Sequence, residues 1–329
     1  MEKAIFILND AVRDVIYPPD IYEAIASRVT VVEGRYTAAA IQENLSLLAD
    51  VTMIFSGWGC PRMDADFLAH APRLIAVFYG AGSIRGFATP AFWDRDIVVT
   101  NAVSANAEPV AYFTFAQIIM GLKGAWHHMN LGNNYVDKKH CFPGITGGTV
   151  GIISLGHIGR RVCDLLRPLN LRILINDPFL SSEDAQAVGG ELCDLESLFQ
   201  QSDVVSLHTP LLDETRGMLT GDHFAMMKPH STFINTARGA VIREDELIAV
   251  LQARQDIIAV LDVTYPEPPA PDSPLRTLAN VILTPHIAGA IGAGEIREFG
   301  ELMLAELDRY LAGAPLQHRI TEAQFQHMA

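Results

Sequence analysis

Short apolar runs recur along this chain, each followed by a longer stretch whose apolar positions return at helical spacing. In the first third, Ala4–Leu8, Val29–Val32, Met53–Phe55, Leu74–Phe78 and Val98–Thr100 read as strands, with helical stretches such as Ile21–Ser27 and Ile41–Ala49 between them. A second series begins near Gly148: Thr149–Ser154, Arg172–Asn176, Val204–Leu207, Thr232–Asn235, Ile258–Asp262 and Val281–Thr284. Strands alternating with helix-length spacers are the signature of parallel sheets covered by helices, so the class is α/β. Six strands in the second series are enough for a full dinucleotide-binding sheet.

Between the two series lies an apolar stretch, Pro109–Leu122, read as a linking helix with Asn106 as a candidate cap, followed by a His- and Asn-rich loop at His127–His140. A last helix is expected over Glu295–Leu311. It follows a glycine-containing stretch (Gly289, Gly292, Gly294) at which the chain is able to cross back to the first unit. Two α/β units follow from this pattern.

The chain has 329 residues, 49% of them apolar, which is enough for two medium cores. With 24 Lys+Arg against 38 Asp+Glu the formal net charge is −14, and such a chain repels nucleic-acid phosphates and anionic lipid. The longest apolar candidate, Phe113–Leu122, is interrupted by Gln117 and is too short to span a bilayer. The first residues read as a strand rather than an export signal. Cys60, Cys141, Cys163 and Cys193 are scattered without Cys-x-x-Cys spacing, so reduced thiols in the cytoplasm are expected, with neither a zinc site nor a disulfide framework.

The segment Val150–Gly159 follows a strand and opens a helix, as a dinucleotide-binding turn requires. Small residues are needed where backbone and pyrophosphate approach closely, with helix N–H groups aimed at the phosphates. Gly156 and Gly159 occupy the second and third positions of G-x-G-x-x-G, with His157 and Ile158 between them, while Ser154 stands in the first. The next strand ends in Asn176-Asp177, which sets a carboxylate near the expected distance for the adenosine ribose hydroxyls. A carboxylate there repels a 2′-phosphate, favouring NAD over NADP.

Three later segments each leave a polar residue at a strand end: Arg238 in Asn235–Gly239, Glu267 in Asp262–Pro268, and His286 in Thr284–Gly289. Residues just beyond the carboxyl ends of parallel strands line the cofactor crevice of such a sheet. A planar guanidinium suits a 2-oxo carboxylate, and an imidazole is able to protonate a carbonyl oxygen while hydride reaches the carbon. A carboxylate beside an imidazole fixes its tautomer and favours its charged form. Taken singly, each residue has an ordinary surface reading; the combination with the cofactor turn points to a site.

With these segments, the chain resembles the D-2-hydroxyacid dehydrogenases, the group that contains phosphoglycerate dehydrogenase. The resemblance extends over Leu74–Gly82, Asn101–Ala111, Gly151–Gly159, Asp177-Pro178, His208-Thr209-Pro210 and Met227-Lys228-Pro229. It implies that Arg238 binds substrate, that His286 is the acid/base and that Glu267 is its partner. It also implies that Asp262 reaches the nicotinamide amide and that the Gly80-Ala81-Gly82 backbone meets the substrate carboxylate. His208, Thr209, Pro210, Thr236, Ala237 and Gly289 complete the implied cofactor contacts. The implied architecture is a flavodoxin-like, discontinuous substrate domain, residues 1–103 with 291–329, beside the NAD-binding domain, residues 104–290, in a homodimer.

Some positions depart from the family pattern. Ser154 replaces a common glycine, Tyr112 follows Val-Ala where glutamate is usual, Thr264 follows Asp-Val where an aromatic is usual, and Gly82–Gly86 departs from Gly-x-Asp-x-Ile-Asp. Gly80 stands where phosphoglycerate dehydrogenases often carry arginine, which argues against a phosphorylated substrate; Arg62 and Arg85 are the nearby cations. Trp58, Phe78 and Tyr79 read either as an apolar pocket or as core. The expected activity is NADH-dependent reduction of a small 2-oxo acid such as glyoxylate or hydroxypyruvate. The alternatives are a phosphite dehydrogenase on the same fold and an NADH-sensing protein resembling the co-repressors of this family.

Overall fold

The apolar runs form two separate sheets. The computed structural model describes residues 2–130, 142–326 and 328. Its strands are β1 (Lys3–Ile7), β2 (Thr30–Val31), β3 (Met53–Ser56), β4 (Ala76–Tyr79), β5 (Val98–Asn101), β6 (Thr149–Ile153), β7 (Arg172–Asn176), β8 (Glu191–Leu192), β9 (Val204–Leu207), β10 (Thr232–Asn235), β11 (Ile258–Leu261), β12 (Val281–Leu283) and β13 (Arg319–Ile320). The chain divides into two compact units, Met1–Asn106 with Ala290–Ala329, and Ala107–Gly289.

In the first unit the strand order is β13-β5-β4-β3-β1-β2, parallel except for β13, which runs antiparallel to β5. Its first five strands have the flavodoxin-like 2-1-3-4-5 order. Register sets Phe6 beside Phe55 and Phe55 beside Phe78, and the rings stack at 5.1 and 4.9 Å between centroids. Side chains alternate faces along a strand, so Ile5, Ile54 and Val77 fill the opposite core. The helix Ala293–Leu311 closes the aromatic face with Phe299, Met303 and Leu307. Its Glu306, fully buried, accepts from Arg309 Nη1 at 2.7 Å and from the Gln317 and His318 N–H groups at 3.3 and 3.1 Å, turning the chain toward β13.

The second unit has the order β12-β11-β10-β9-β6-β7-β8, all parallel. Strands β6, β9, β10 and β11 are buried along their whole length, which explains their unbroken apolar runs. Gly151 lets a helix lie close on β6, since a Cβ there meets Leu198 Cδ2 and Ser202 Oγ, each at 2.5 Å. The progression of strand order reverses between the parallel neighbours β6 and β9. At that point the connections leave on opposite faces of the sheet and open a crevice beyond the strand ends.

Several boundaries differ from the sequence reading. The linking helix spans Val103–Leu122, so Asn106 lies inside it and caps nothing; its side-chain oxygen accepts from the Ala290 N–H at 3.0 Å. Pro109 sits within this helix, where it removes one backbone donor. The stretch Ile41–Ala49 splits into a helix, Ala38–Gln42, and a 3-10 turn, Leu45–Leu48, because Asn44 takes a non-helical conformation. Strands β8 and β13 have two residues each and carry no readable period. His127 and His128 belong to a short helix, Ala125–Asn130. The rest of the His- and Asn-rich loop through His140, and Cys141, lies outside the described residues, whereas Cys60, Cys163 and Cys193 are free thiols. Among the described residues, no helix is long and apolar enough to cross a membrane.

Candidate active site

Six neighbouring strands of the second sheet end on one edge, and each is followed by residues singled out in the sequence. Ser154 follows β6, Asp177 follows β7 and His208-Thr209-Pro210 follow β9. Arg238 lies beyond β10, Glu267 beyond β11 and His286 beyond β12. Parallel pairing therefore gathers them at the carboxyl edge.

Around β6 the turn is tightly held. Ser154 adopts φ +73°, a left-handed conformation, and its N–H donates to the Asn176 carbonyl at 2.8 Å. Its hydroxyl lies 2.8 Å from that of Thr209. The Asp177 carboxylate accepts from the Leu155 N–H at 2.9 Å and, through its other oxygen, from the Phe179 N–H at 3.0 Å. Gly156 caps the helix His157–Leu166. A Cβ at Gly156 meets no atom within 4 Å, whereas one at Gly159 lies 2.5 Å from the Ser154 carbonyl oxygen. Gly159 is thus required by helix–turn packing, and Gly156 leaves room over the helix N-terminus. A small-residue cradle, free helix-start N–H groups and a carboxylate at the end of β7 fit a dinucleotide.

His208 faces Ser206, with Nε2 3.0 Å from the hydroxyl. Burial pushes its imidazole down to about 4, so it is neutral near pH 7, and its buried Nδ1 has no hydrogen-bond partner among the described residues. Pro210 accepts from the Thr215 hydroxyl at 2.6 Å. Thr236 is buried, its hydroxyl 3.2 Å from that of Thr114, while Ala237 and Gly289 are half-buried.

On the other side of the switch point, His286 Nδ1 lies 2.6 Å from Glu267 Oε1, with both side chains partly exposed. His286 is also left-handed, at φ +54°. Its turn is fixed by Asp262, which is 2% exposed: the carbonyl accepts from the His286 N–H at 3.0 Å. The Asp262 carboxylate accepts from the Thr284 hydroxyl at 2.6 Å and from the Ile287 and Ala288 N–H groups, each at 2.9 Å. Arg238 is half-buried and donates to the Ala237 carbonyl at 2.6 Å. Burial lowers its guanidinium from the usual range, and the Glu267 charge opposes that shift.

Sequence reasoning passed over the residues that hold this edge in shape. The fully buried Asn235 accepts from the Ala237 N–H at 2.9 Å and donates to the Arg238 carbonyl at 3.2 Å, fixing the Arg238 turn. Thr284 and Ser206 were likewise not singled out. An amide residue closing a short, fully buried strand, as in Thr232–Asn235, is the signal that marks Asn235.

In the first unit, the Gly80 N–H donates to the Ser56 carbonyl and the Ala81 N–H to the Tyr79 carbonyl, each at 2.8 Å; the Asn101 amide donates to the Gly82 carbonyl at 3.1 Å. A Cβ at Gly80 would stand 2.8 Å from Ile16, whereas one at Gly82 meets nothing within 4 Å. Phe78 and Tyr79 are core, and Trp58 is partly exposed against Phe299. Arg85 is engaged with the carbonyls of Phe325, Gln326 and Met328, and Arg62 is exposed.

Comparison with known proteins decides the family. Residues 116–288 match the model of the D-isomer specific 2-hydroxyacid dehydrogenase NAD-binding domain. The chain belongs to the D-isomer specific 2-hydroxyacid dehydrogenases. A glyoxylate reductase of Aeropyrum pernix is 30% identical over 292 residues, 85% of this chain and 81% of that protein. A D-3-phosphoglycerate dehydrogenase of Archaeoglobus fulgidus is 29% identical over 270 residues, 79% of this chain. This chain spans about half the length of that second relative, with 49% of it covered. In fold, the chain is similar to the apo D-mandelate dehydrogenase of Rhodotorula graminis, with a TM-score of 0.81 at 23% identity, covering 98% of each chain. In this family of NAD-dependent oxidoreductases acting on CH–OH groups, the turn from β6 to the helix at His157 belongs to the NAD-binding domain.

Proposed function

We propose that this dehydrogenase reduces small 2-oxo acids, glyoxylate and hydroxypyruvate first among them, to the D-2-hydroxy acids with NADH. The observation that carries the reading is the hydrogen bond between His286 Nδ1 and Glu267 Oε1, formed across the ends of adjacent strands on the edge that also bears Arg238. The glyoxylate reductase relative supports a substrate of this size.

Arg238 pairs its guanidinium with the substrate carboxylate and carbonyl oxygen, two acceptors that a planar fork meets together. The protonated His286 gives its Nε2 proton to the carbonyl oxygen as C2 takes a hydride. When bound, NADH supplies that hydride. Glu267 keeps a proton on Nδ1 throughout, so the imidazole left behind is neutral and Nε2 is ready to accept the proton in the reverse direction. Asp262 holds the His286 turn rigid from below. In the first unit, the Gly80 and Ala81 N–H groups are spent on internal carbonyls.

The Asp177 carboxylate supports NAD over NADP. A homodimer and a cytoplasmic location are further parts of the proposal, the first checked by light scattering of the eluted protein. The deciding experiment follows NADH absorbance against glyoxylate, hydroxypyruvate, pyruvate, 2-oxobutyrate, branched 2-oxo acids and phosphohydroxypyruvate, with the unaltered protein and His286→Ala. Turnover lost by about two to four orders of magnitude in the variant, with NADH affinity kept, is the expected result. NADH binding without turnover of any 2-oxo acid overturns it.

A further inference from the structure

The topological switch point of the second sheet is bridged by two hydroxyl groups, and one belongs to the residue that departs from the glycine pattern of the turn. We propose that Ser154 and Thr209 form a latch that presets the phosphate turn, making Ser154 a positioning residue for the pyrophosphate of the dinucleotide. The inference rests on reading that turn as the cofactor site.

Three observations carry it. First, Ser154 has φ +73°, a conformation that glycine adopts freely and that a side chain disfavours. A serine there offsets its backbone cost only through something its side chain does. Second, that side chain has one partner of high definition: its oxygen is 2.8 Å from the Thr209 hydroxyl, and Thr209 is 3% exposed. Third, the bond lies where the sheet ladder ends. The His208 N–H to Ile153 carbonyl bond, at 2.9 Å, is the last backbone tie between these strand ends. Beyond it the two connections leave on opposite faces, and the hydroxyl pair is the next link across.

The turn is also anchored on its other flank. Ser154 donates its N–H to Asn176 at 2.8 Å, and Leu155 donates to the Asp177 carboxylate at 2.9 Å. The Ser154 carbonyl oxygen packs on the Gly159 backbone so closely that a Cβ there would stand 2.5 Å away. Held toward β7, toward β9 and against the helix, the peptide units leading to Gly156 keep one arrangement before ligand arrives. Preorganisation of this kind lowers the ordering cost of binding. The benefit goes to the ligand part that meets the helix N-terminus, which is the pyrophosphate.

The test measures equilibrium binding of NADH, ADP-ribose and adenosine by calorimetry. It uses the unaltered protein, Ser154→Gly, Thr209→Val, Thr209→Ser and the double variant Ser154→Gly/Thr209→Val. Glycine suits φ +73°, so Ser154→Gly folds normally, and thermal midpoints check this for each variant. Expected is a roughly threefold to tenfold loss of NADH and ADP-ribose affinity in Ser154→Gly and in Thr209→Val, the scale of one neutral hydrogen bond. The double variant is no weaker than the weaker single one, Thr209→Ser retains affinity, and adenosine, which has no phosphate, is unaffected. NADH binding by Ser154→Gly as tight as that of the unaltered protein overturns the latch, as do multiplying losses in the double variant or an equal loss for adenosine. Absence of NADH binding by the unaltered protein overturns the cofactor reading itself, a result distinct from all of these.

Discussion

Glu267 Oε1 lies 2.6 Å from His286 Nδ1, a contact made across the ends of neighbouring strands β11 and β12. The carboxylate gives that imidazole a fixed acceptor and a compensating charge. Glu267→Gln retains an oxygen able to accept from Nδ1–H but removes the charge; Glu267→Ala removes both. Under the proposed reaction, kcat falls about tenfold to a hundredfold in the glutamine variant and further in the alanine variant, with NADH affinity held within about twofold. Steady-state kinetics beside calorimetric NADH binding check this. An unchanged kcat in Glu267→Ala removes Glu267 from the reaction.

Asp177 does two things at once, and substitutions separate them. Its oxygens accept from the Leu155 and Phe179 N–H groups, which tie down the turn, and its charge faces the end of β7. Asp177→Asn keeps an acceptor while removing the charge, so NADPH gains relative to NADH by on the order of tenfold, equivalent to about 1.4 kcal/mol. Asp177→Ala loses the turn contacts as well, and binding of both dinucleotides weakens. The ratio of affinities for the two cofactors is the measurement. A ratio unmoved by the asparagine variant means that this carboxylate does not meet the ribose.

His208 gives a pH signature of stability. Burial holds its folded-state value at about 4, below the ordinary 6.5. The unfolded chain therefore binds the proton more readily between these values, and stability falls as pH drops from about 6.5 toward 4. Above 6.5 the contribution is fully present. The effect is on the order of 3 kcal/mol. Urea midpoints measured through that range fall less steeply in His208→Gln than in the unaltered protein. Parallel pH profiles would show that His208 titrates normally.

Much of the edge was legible because strand ends are legible. Arg238, Glu267 and His286 each follow an apolar run, and a parallel sheet carries such residues to one side without further information. Asp177 came from spacing to the glycine turn. Other features depend on tertiary partners that no local pattern encodes. Asn106 reads as a cap from its type, but its amide is used by Ala290, distant in sequence. Phe78 and Tyr79 stand at a strand end and invite a pocket reading, yet the cross-strand stack with Phe55 and the Phe87 contact make them core. Asp262 was read through its implied ligand. Its three donors from the 284–288 turn follow only from the register of β11 beside β12.

Gly239 tests how tightly the Arg238 turn is packed. It opens the 3-10 turn Gly239–Val241, and its backbone carries no positive φ, so a conformational argument does not require glycine there. Packing does. A Cβ would stand 2.0 Å from the Thr264 carbonyl carbon, 2.2 Å from its oxygen and 2.6 Å from its Cα, all backbone atoms of the segment leading to Glu267. No side-chain rotation relieves such a clash, so Gly239→Ala forces two strand-end segments apart. Overpacking of this kind costs about 1–3 kcal/mol and more where backbone must move. The displaced segments carry Arg238 and Glu267, so activity falls beyond the stability loss. At a temperature where the variant is fully folded and NADH is saturating, kcat/KM for the 2-oxo acid is expected to drop about tenfold or more, and NADH binding weakens too, because Thr236 and Ala237 belong to the same turn. Gly294→Ala is the control: its Cβ meets nothing within 4 Å, so stability and turnover both stay near those of the unaltered protein. Normal stability and turnover in Gly239→Ala would mean that the two segments are free to separate without consequence for the site.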